Sequence, residues 1–337
     1  MNDFKKILLI NFGGIGDEIL FLPTINTLKK VFPNSHITLA LESRSKSIIN
    51  LTDLIDQVFE VNINSKNKYL ELFKLILFAR KNKFNMVISS GSNKFIPILL
   101  LLMNIKERYG YNNGITSHLL TEKVNLNKNQ YASYMYHDLL RPITDIKCEL
   151  PKIEIKPNVK WSLQNQIYKE ENSVLIHPGV SKMSIEKNII KIFKAPIWAN
   201  IINRLLSSGK KVYLAGGPDD ETIIREILSL IDTQNPLFYN MYGKTKNLEQ
   251  LAQLIKKSEV VICSDSAPMH ISIAVNTKTL AIFGPTDEKK LLPPDNKNFI
   301  AVTNNCNCRP CLWDKRMTSC KNLFCLNFDI DDIIKYI

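Results

Sequence analysis

No apolar run in this sequence is long enough to cross a bilayer. The longest, Phe95 to Ile105 (FIPILLLLMNI), has about 11 residues where a spanning helix needs roughly 20, and it is expected to form a buried helix. No secretory leader is expected either. Lys5 and Lys6 precede the apolar ILLINF, but Gly13, Gly14, Asp17 and Glu18 interrupt the run and no small-residue cleavage site follows. There is no low-complexity tract and no convincing internal repeat, which excludes a disordered or solenoid chain. The basic residues are scattered singly and in pairs, without the aromatic-plus-glycine signature of an RNA-binding sheet or a DNA-reading helix, so nucleic acid is not an expected partner. These absences leave a cytoplasmic globular protein, with peripheral contact at the inner face of the inner membrane kept open.

What is present is a chain of 337 residues, 45% hydrophobic and 23% charged, long enough for two domains of ordinary size. Lys and Arg number 44 against 32 Asp and Glu, a net charge of +12 that favours an anionic partner such as a phosphorylated substrate or an acidic membrane surface. Short apolar runs alternate with helical patterns. KILLINF, HITLALE and FNMVISS read as parallel strands, with helices over 16–31 and 69–80. The pattern lapses into proline-punctuated chain around CELPKIEIKPNVKW, a domain boundary within 148–170, and then restarts. SVLIHPG, KKVYLAGG, VVICSDS and TLAIFGPT are four further strands, separated by helices over 196–208, 219–231 and 247–257. Ligands of such doubly wound sheets sit beyond the carboxyl ends of the strands, so the loops there are where chemistry is sought.

The loop after the first strand, GGIGDE, fits half of a dinucleotide fingerprint. Gly14-x-Gly16 begins G-x-G-x-x-G, and Glu42 closes a later strand as a ribose-binding acid would. Ile19 stands where the third glycine belongs, however, and Asp17 and Glu18 repel a pyrophosphate. Asp17 has two readings: a helix cap, or a carboxylate kept ionised at the helix N-terminus and poised to take a hydroxyl proton. ICSDSAPMHISIA (262–274) supplies the phosphate site that the first loop lacks. A strand ends, Ser264 to Ala267 turn, Pro268 opens a helix, and the N–H groups from 266 to 269 would face an anion, with His270 a further donor.

GGIGDEILFLPTINTLK, IHPG, KIFKAPIW, LAGGPDDE and SDSAPMHISIAVNTKTLAIFGPT, in that order, resemble the heptosyltransferases of glycosyltransferase family 9 over nearly the whole chain. The resemblance implies a GT-B fold, two Rossmann-like α/β domains facing across a cleft, here 1–160 for the acceptor and 161–337 for the nucleotide sugar. It implies inverting transfer of heptose from ADP-heptose to a lipopolysaccharide inner core or other glycan acceptor, with no catalytic metal. By position, Asp17 becomes the general base, with Gly13, Gly14 and Gly16 letting the acceptor sugar approach. Lys191 becomes the diphosphate lysine, with Lys187 and Lys194 as competitors. Asp265, Ser266, Ala267 and His270 fall on the donor motif, and Glu221, with Asp219 as second choice, on the ribose-binding acid. Lys94, Arg108 and Arg141 are basic residues of the acceptor half. A protein acceptor, as in autotransporter modification, is the alternative. Outside the family, a nicotinamide-dependent oxidoreductase and a non-catalytic nucleotide-sugar module are the rivals.

Five of the seven cysteines fall within 306–325. Cys308-x2-Cys311 with Cys320-x4-Cys325 is a plausible four-thiolate framework, for which reduced thiols and disulfides are the alternatives. Zinc is the default ion. Iron is what the resemblance to the autotransporter heptosyltransferases implies, and an oligomer contact supported by this segment is left open. Cys148 and Cys263 read as core thiols. Asp329 and its neighbours in FDIDD (328–332) read as a capping, solvated face rather than a metal motif.

Overall fold

Lys6–Asn11 (β1) buries five of its six residues, which only a strand covered on both faces can do. The computed structural model describes residues 4–167, 171–186, 191, 193–304, 306–312, 320 and 323–337. It divides into two units, Met1–Glu154 and Ile155–Ile337.

In the first unit β1 is joined by β2 (His36–Glu42), β3 (Gln57–Val61), β4 (Met86–Ser89), β5 (Glu107–Tyr111) and β6 (Glu122–Val124). All pairs are parallel, in the order β3-β2-β1-β4-β5-β6. The helices of this unit include α1 (Ile15–Val31), α2 (Lys68–Asn82), α3 (Ile96–Leu102) and α4 (Ala132–His137). Leu8, Ile10, Ala40 and Val87 from the sheet pack with Leu75, Ala79, Leu100 and Met103 into one apolar cluster.

The second unit repeats the scheme with β7 (Ser173–His177), β8 (Lys211–Leu214), β9 (Phe238–Asn240), β10 (Val260–Ser264), β11 (Lys278–Phe283) and β12 (Phe299–Thr303). They run parallel in the order β12-β11-β10-β7-β8-β9. Read from β9, this is the same winding as in the first unit, and both match the doubly wound order in which the chain reverses direction beside the first strand. The reversal falls between β1 and β4 in one unit and between β7 and β10 in the other. A crevice opens at that point because the two loops leaving these strands run to opposite sides of the sheet. Val174, Ile176, Trp198, Ile202, Leu214 and Ile262 belong to the core of this unit.

Two expectations change. Phe95–Ile105 is not a wholly buried helix: only Pro97, Leu99 and Leu100 of α3 are buried, while Leu101 and Leu102 face solvent. The helix expected over 219–231 is a 3₁₀ turn at Pro218–Asp220 followed by a helix over Glu221–Leu228. No helix among the described residues is long and apolar enough to cross a membrane.

Candidate functional site

The loop from β1 to α1 is built around Asp17. Gly14 is the N-cap of α1 and has no side chain to cap with, so Asp17 reaches back and its Oδ2 accepts the Gly14 N–H at 2.8 Å. Gly13 makes room for this. A Cβ there would lie 2.2 Å from that of Asp17, closer than any real contact. The other carboxylate oxygen, Oδ1, accepts the hydroxyl of Tyr136 on α4 at 3.1 Å. Both oxygens are thus oriented, yet the residue remains partly open to solvent at the β1/β4 crevice. Gly16 lies in the first turn of α1.

This arrangement leaves no room for a dinucleotide pyrophosphate. The Gly14 N–H that such a ligand would use is already taken by the protein's own carboxylate, and Arg44 covers the glycine, its Nη1 standing 3.3 Å from where a Cβ on Gly14 would be. Glu42 is not free to bind a ribose. It is buried, its Oε2 accepts Arg44 Nε at 2.5 Å and its Oε1 accepts the amide of Asn64 at 2.5 Å. Its effect is to aim Arg44, whose two terminal nitrogens have no hydrogen-bonded partner among the described residues. Of the basic residues expected at an acceptor, Arg108 is spent on the backbone carbonyls of Leu119, Ile105 and Lys106, and Arg141 on Asp138.

Glu18, next to Asp17, has the opposite environment. It is fully buried, and its Oε2 accepts from Asn11, whose own Oδ1 accepts the hydroxyl of Ser90 at the end of β4. Burial first, and then the Asp17 carboxylate, push the Glu18 carboxyl well above its ordinary 4.5, against the smaller opposing effects of Asn11, the Gly13 backbone and Arg44. Two adjacent acids are therefore separated by environment: one keeps its proton, the other meets solvent. The sign of the pH dependence follows. Folded Glu18 holds its proton where the unfolded chain has released it, so stability is fully present below 4.5 and falls as pH rises towards the folded value. Glu18→Gln is neutral at every pH and escapes this loss. Its melting temperature relative to wild type is expected to climb as pH rises from about 4 to about 8. A gap independent of pH would mean that Glu18 is ionised in the fold.

In the second unit, Lys191 lies beside the β10 loop. Its Nζ donates to the Asp265 carbonyl at 2.7 Å and stands 3.6 Å from Asp265 Oδ2. Ser266 occupies the N-cap position of the helix Ala267–Ala274, and its hydroxyl donates to the Gly179 carbonyl, which joins the β10 loop to the loop after β7. The structure thus brings Lys191, Asp265 and Ser266 together at the β7/β10 crevice, with Ala267 and buried His270 on the helix that follows. Of the four N–H groups expected to face an anion there, Pro268 has none and Met269 donates to Ser266 O, which leaves those of Ser266 and Ala267. Glu221 is exposed and paired with Arg225 at 2.5 Å; Asp219 accepts the Lys182 N–H. Lys194 is exposed at the cap of the next helix, and Lys187 lies outside the described residues.

Asp220 was not expected from the sequence. It is buried, its Oδ2 accepts the Gly217 N–H at 2.8 Å, and a Cβ on Gly179 would fall 1.8 Å from its Oδ1. Its carboxylate also stands 3.9 Å from His177. Burial first pushes His177 down and Asp220 up, against the smaller opposing effect of each on the other. Gly216-Gly217-x-x-Asp220-Glu221 repeats the spacing of Gly13-Gly14-x-x-Asp17-Glu18, with the same acid-to-glycine cap. One copy buries its aspartate; the other leaves it open.

The structure does not support the four-thiolate set Cys308, Cys311, Cys320 and Cys325 as an ion site. Among the described residues no group of three or more His, Cys, Asp or Glu side chains is placed to hold one ion. Burial, and then the neighbouring sulfurs of Cys306, Cys308, Cys311 and Cys320, push the Cys325 thiol up to about 11. Cys306 and Cys308 Sγ are 3.5 Å apart, and no disulfide forms among the described residues. Neither the zinc that the spacing suggests by default nor the iron that the resemblance implies is supported by this arrangement.

Known proteins match this architecture. The family model described as glycosyltransferase family 9 (heptosyltransferase) matches residues 73–321. The lipopolysaccharide heptosyltransferase 3 of Escherichia coli is 26% identical over 286 residues, 81% of either chain. Among solved structures, the E. coli ADP-heptose lipopolysaccharide heptosyltransferase II has a TM-score of 0.73 at 19% identity and covers 98% of both chains. An E. coli heptosyltransferase holding ADP-2-deoxy-2-fluoro heptose has a TM-score of 0.67 at 15% identity, with 89% of this chain and 93% of that one covered.

Proposed function

From the premise that the chain belongs to glycosyltransferase family 9, whose model spans well over half of it, we propose that it moves heptose from ADP-heptose to an anionic lipopolysaccharide inner-core acceptor, with inversion. The protein is a glycosyltransferase of GT-B fold, built from two doubly wound α/β units. The observation that carries the finer reading is the Asp17 carboxylate, held at both oxygens over two glycines and still open at the β1/β4 crevice.

In the proposed reaction Asp17 takes the proton of the acceptor hydroxyl. The oxygen attacks the anomeric carbon of the heptose, the bond from that carbon to the diphosphate breaks, and ADP leaves from the opposite side. One bond forms, one breaks, and configuration inverts. Tyr136 and the Gly14 N–H hold the carboxylate in place. Lys191 and the N–H groups of Ser266 and Ala267 meet the charge that grows on the diphosphate. His270 is assigned to the same diphosphate and Glu221 to the donor ribose. No step uses a metal.

Arg44 extends the reading to the acceptor. A guanidinium fixed at Nε by a buried carboxylate, with both terminal nitrogens turned to the Gly14 loop, suits a phosphate or carboxylate near the attacked sugar. Arg44→Gln is expected to raise the acceptor KM about tenfold and leave the donor KM unchanged, as for loss of a charge-assisted hydrogen bond. An unchanged acceptor KM would remove Arg44 from the site. The reading as a whole is tested by incubating the protein with ADP-heptose and a panel of truncated lipopolysaccharide cores, followed by mass spectrometry. One core should gain the mass of one heptose; no gain on any of them would refute the reading.

A further inference from the structure

The helix α2 has two apolar faces and only one of them is covered. Leu75 and Ala79 are buried in the first unit's core, with Leu72, Ile76 and Phe78 packed beside them. On the opposite side Leu70, Phe73 and Leu77, spaced three and four residues apart, form one stripe and are 52%, 54% and 49% exposed. The stripe continues past the helix end. Arg80 Nε donates to the Leu102 carbonyl at 2.8 Å, which sets exposed Leu101 and Leu102 of α3 beside the last turn of α2. Tyr69 is exposed at the other end, with the Lys68 ammonium 5.1 Å from its ring centre.

Around this stripe positive charge predominates. The helix carries Lys68, Lys74, Arg80 and Lys81 against one acid, Glu71, and that acid is paired with Lys74 at 2.6 Å. Lys83 at its C-cap and Lys106 beyond α3 are exposed and basic as well. Folded proteins seldom leave such a contiguous apolar stripe in water without a use for it.

We propose that the outer face of α2, with the end of α3, lies on an anionic phospholipid bilayer, its Leu and Phe side chains entering the acyl boundary and its cations meeting lipid phosphates. A helix with an apolar stripe, a tyrosine at the edge and lysines on both flanks has the composition of an interfacial helix. Charge decides against a second copy of this chain as the occupant. A two-fold contact through α2 would set the cations of one copy against those of the other, with Glu71 already neutralised. Such membrane binding is independent of glycosyl transfer, so vesicles without a sugar acceptor suffice to detect it.

The test uses the full chain, sedimented with vesicles of phosphatidylglycerol and phosphatidylethanolamine and, separately, of phosphatidylcholine alone. Wild type is expected on the anionic vesicles, to be released by raised salt, and to be retained much less by phosphatidylcholine. The triple variant Leu70→Ser, Phe73→Ser, Leu77→Ser should bind the anionic vesicles on the order of tenfold more weakly. A second variant, Lys68→Glu with Lys81→Glu, should lose binding with the stripe intact, and unchanged melting temperatures would certify the fold of both. Three results overturn the proposal: wild type that ignores anionic vesicles, a triple variant that binds as wild type does, or a wild-type dimer in solution that the triple variant dissolves.

Discussion

Asp17→Asn is expected to lower the rate of transfer by about 10²–10⁴-fold, the range associated with removing a general base, while ADP-heptose binding measured by calorimetry stays within a factor of about two. The substitution is nearly isosteric. An amide at position 17 can still accept the Gly14 N–H through its oxygen and offer its nitrogen to the Tyr136 oxygen, so the start of α1 keeps its cap. What it cannot do is receive a proton. A loss of rate with donor affinity and melting temperature retained would assign Asp17 to the chemistry. A variant within tenfold of wild type would reduce it to a capping residue, as its counterpart Asp220 is at Gly217.

The second large effect is expected at Lys191. Lys191→Met keeps most of the side chain's length and removes its charge, which should reduce kcat/KM by about 10²–10³-fold, as for other electrostatic groups aimed at a leaving group. Two causes add. The diphosphate loses a cation, and the buried Asp265 carboxylate, 3.6 Å from that ammonium, becomes an uncompensated negative charge beside an anion. Initial rates at varied ADP-heptose would check this, with Lys194→Met as the comparison, since Lys194 is exposed. If Lys187→Met or Lys194→Met proved the more damaging, the diphosphate lysine would have to be reassigned.

The parts of this molecule legible in its sequence are those that depend on neighbours along the chain. The central strands β1, β2, β4, β7, β8, β10 and β11 are near-continuous apolar runs because both of their faces are covered. The edge and near-edge strands, such as Gln57–Val61 and Glu122–Val124, are short and carry charges, and nothing in their pattern marks them. The Gly13 to Glu18 loop was readable because glycine, cap and acid lie within six residues. Its partners were not: Tyr136 reaches Asp17 across 119 positions, and only the packing of α4 on α1 joins them. The role of Glu42 was hidden for a related reason. Its place at a strand's end suited a ribose, whereas the arginine two residues on had turned it into a support. Cysteine spacing likewise suggested a metal, and among the described residues no three donors are placed to hold one.

The twin winding of the two sheets has a consequence for how such enzymes diversify. Each half completes its own ladder of strands and its own oily interior, and each carries a separate loop cluster at its own reversal point. On the proposed assignment, substitutions around Arg44 would change the recipient while leaving the loops assigned to the nucleotide in the second unit untouched.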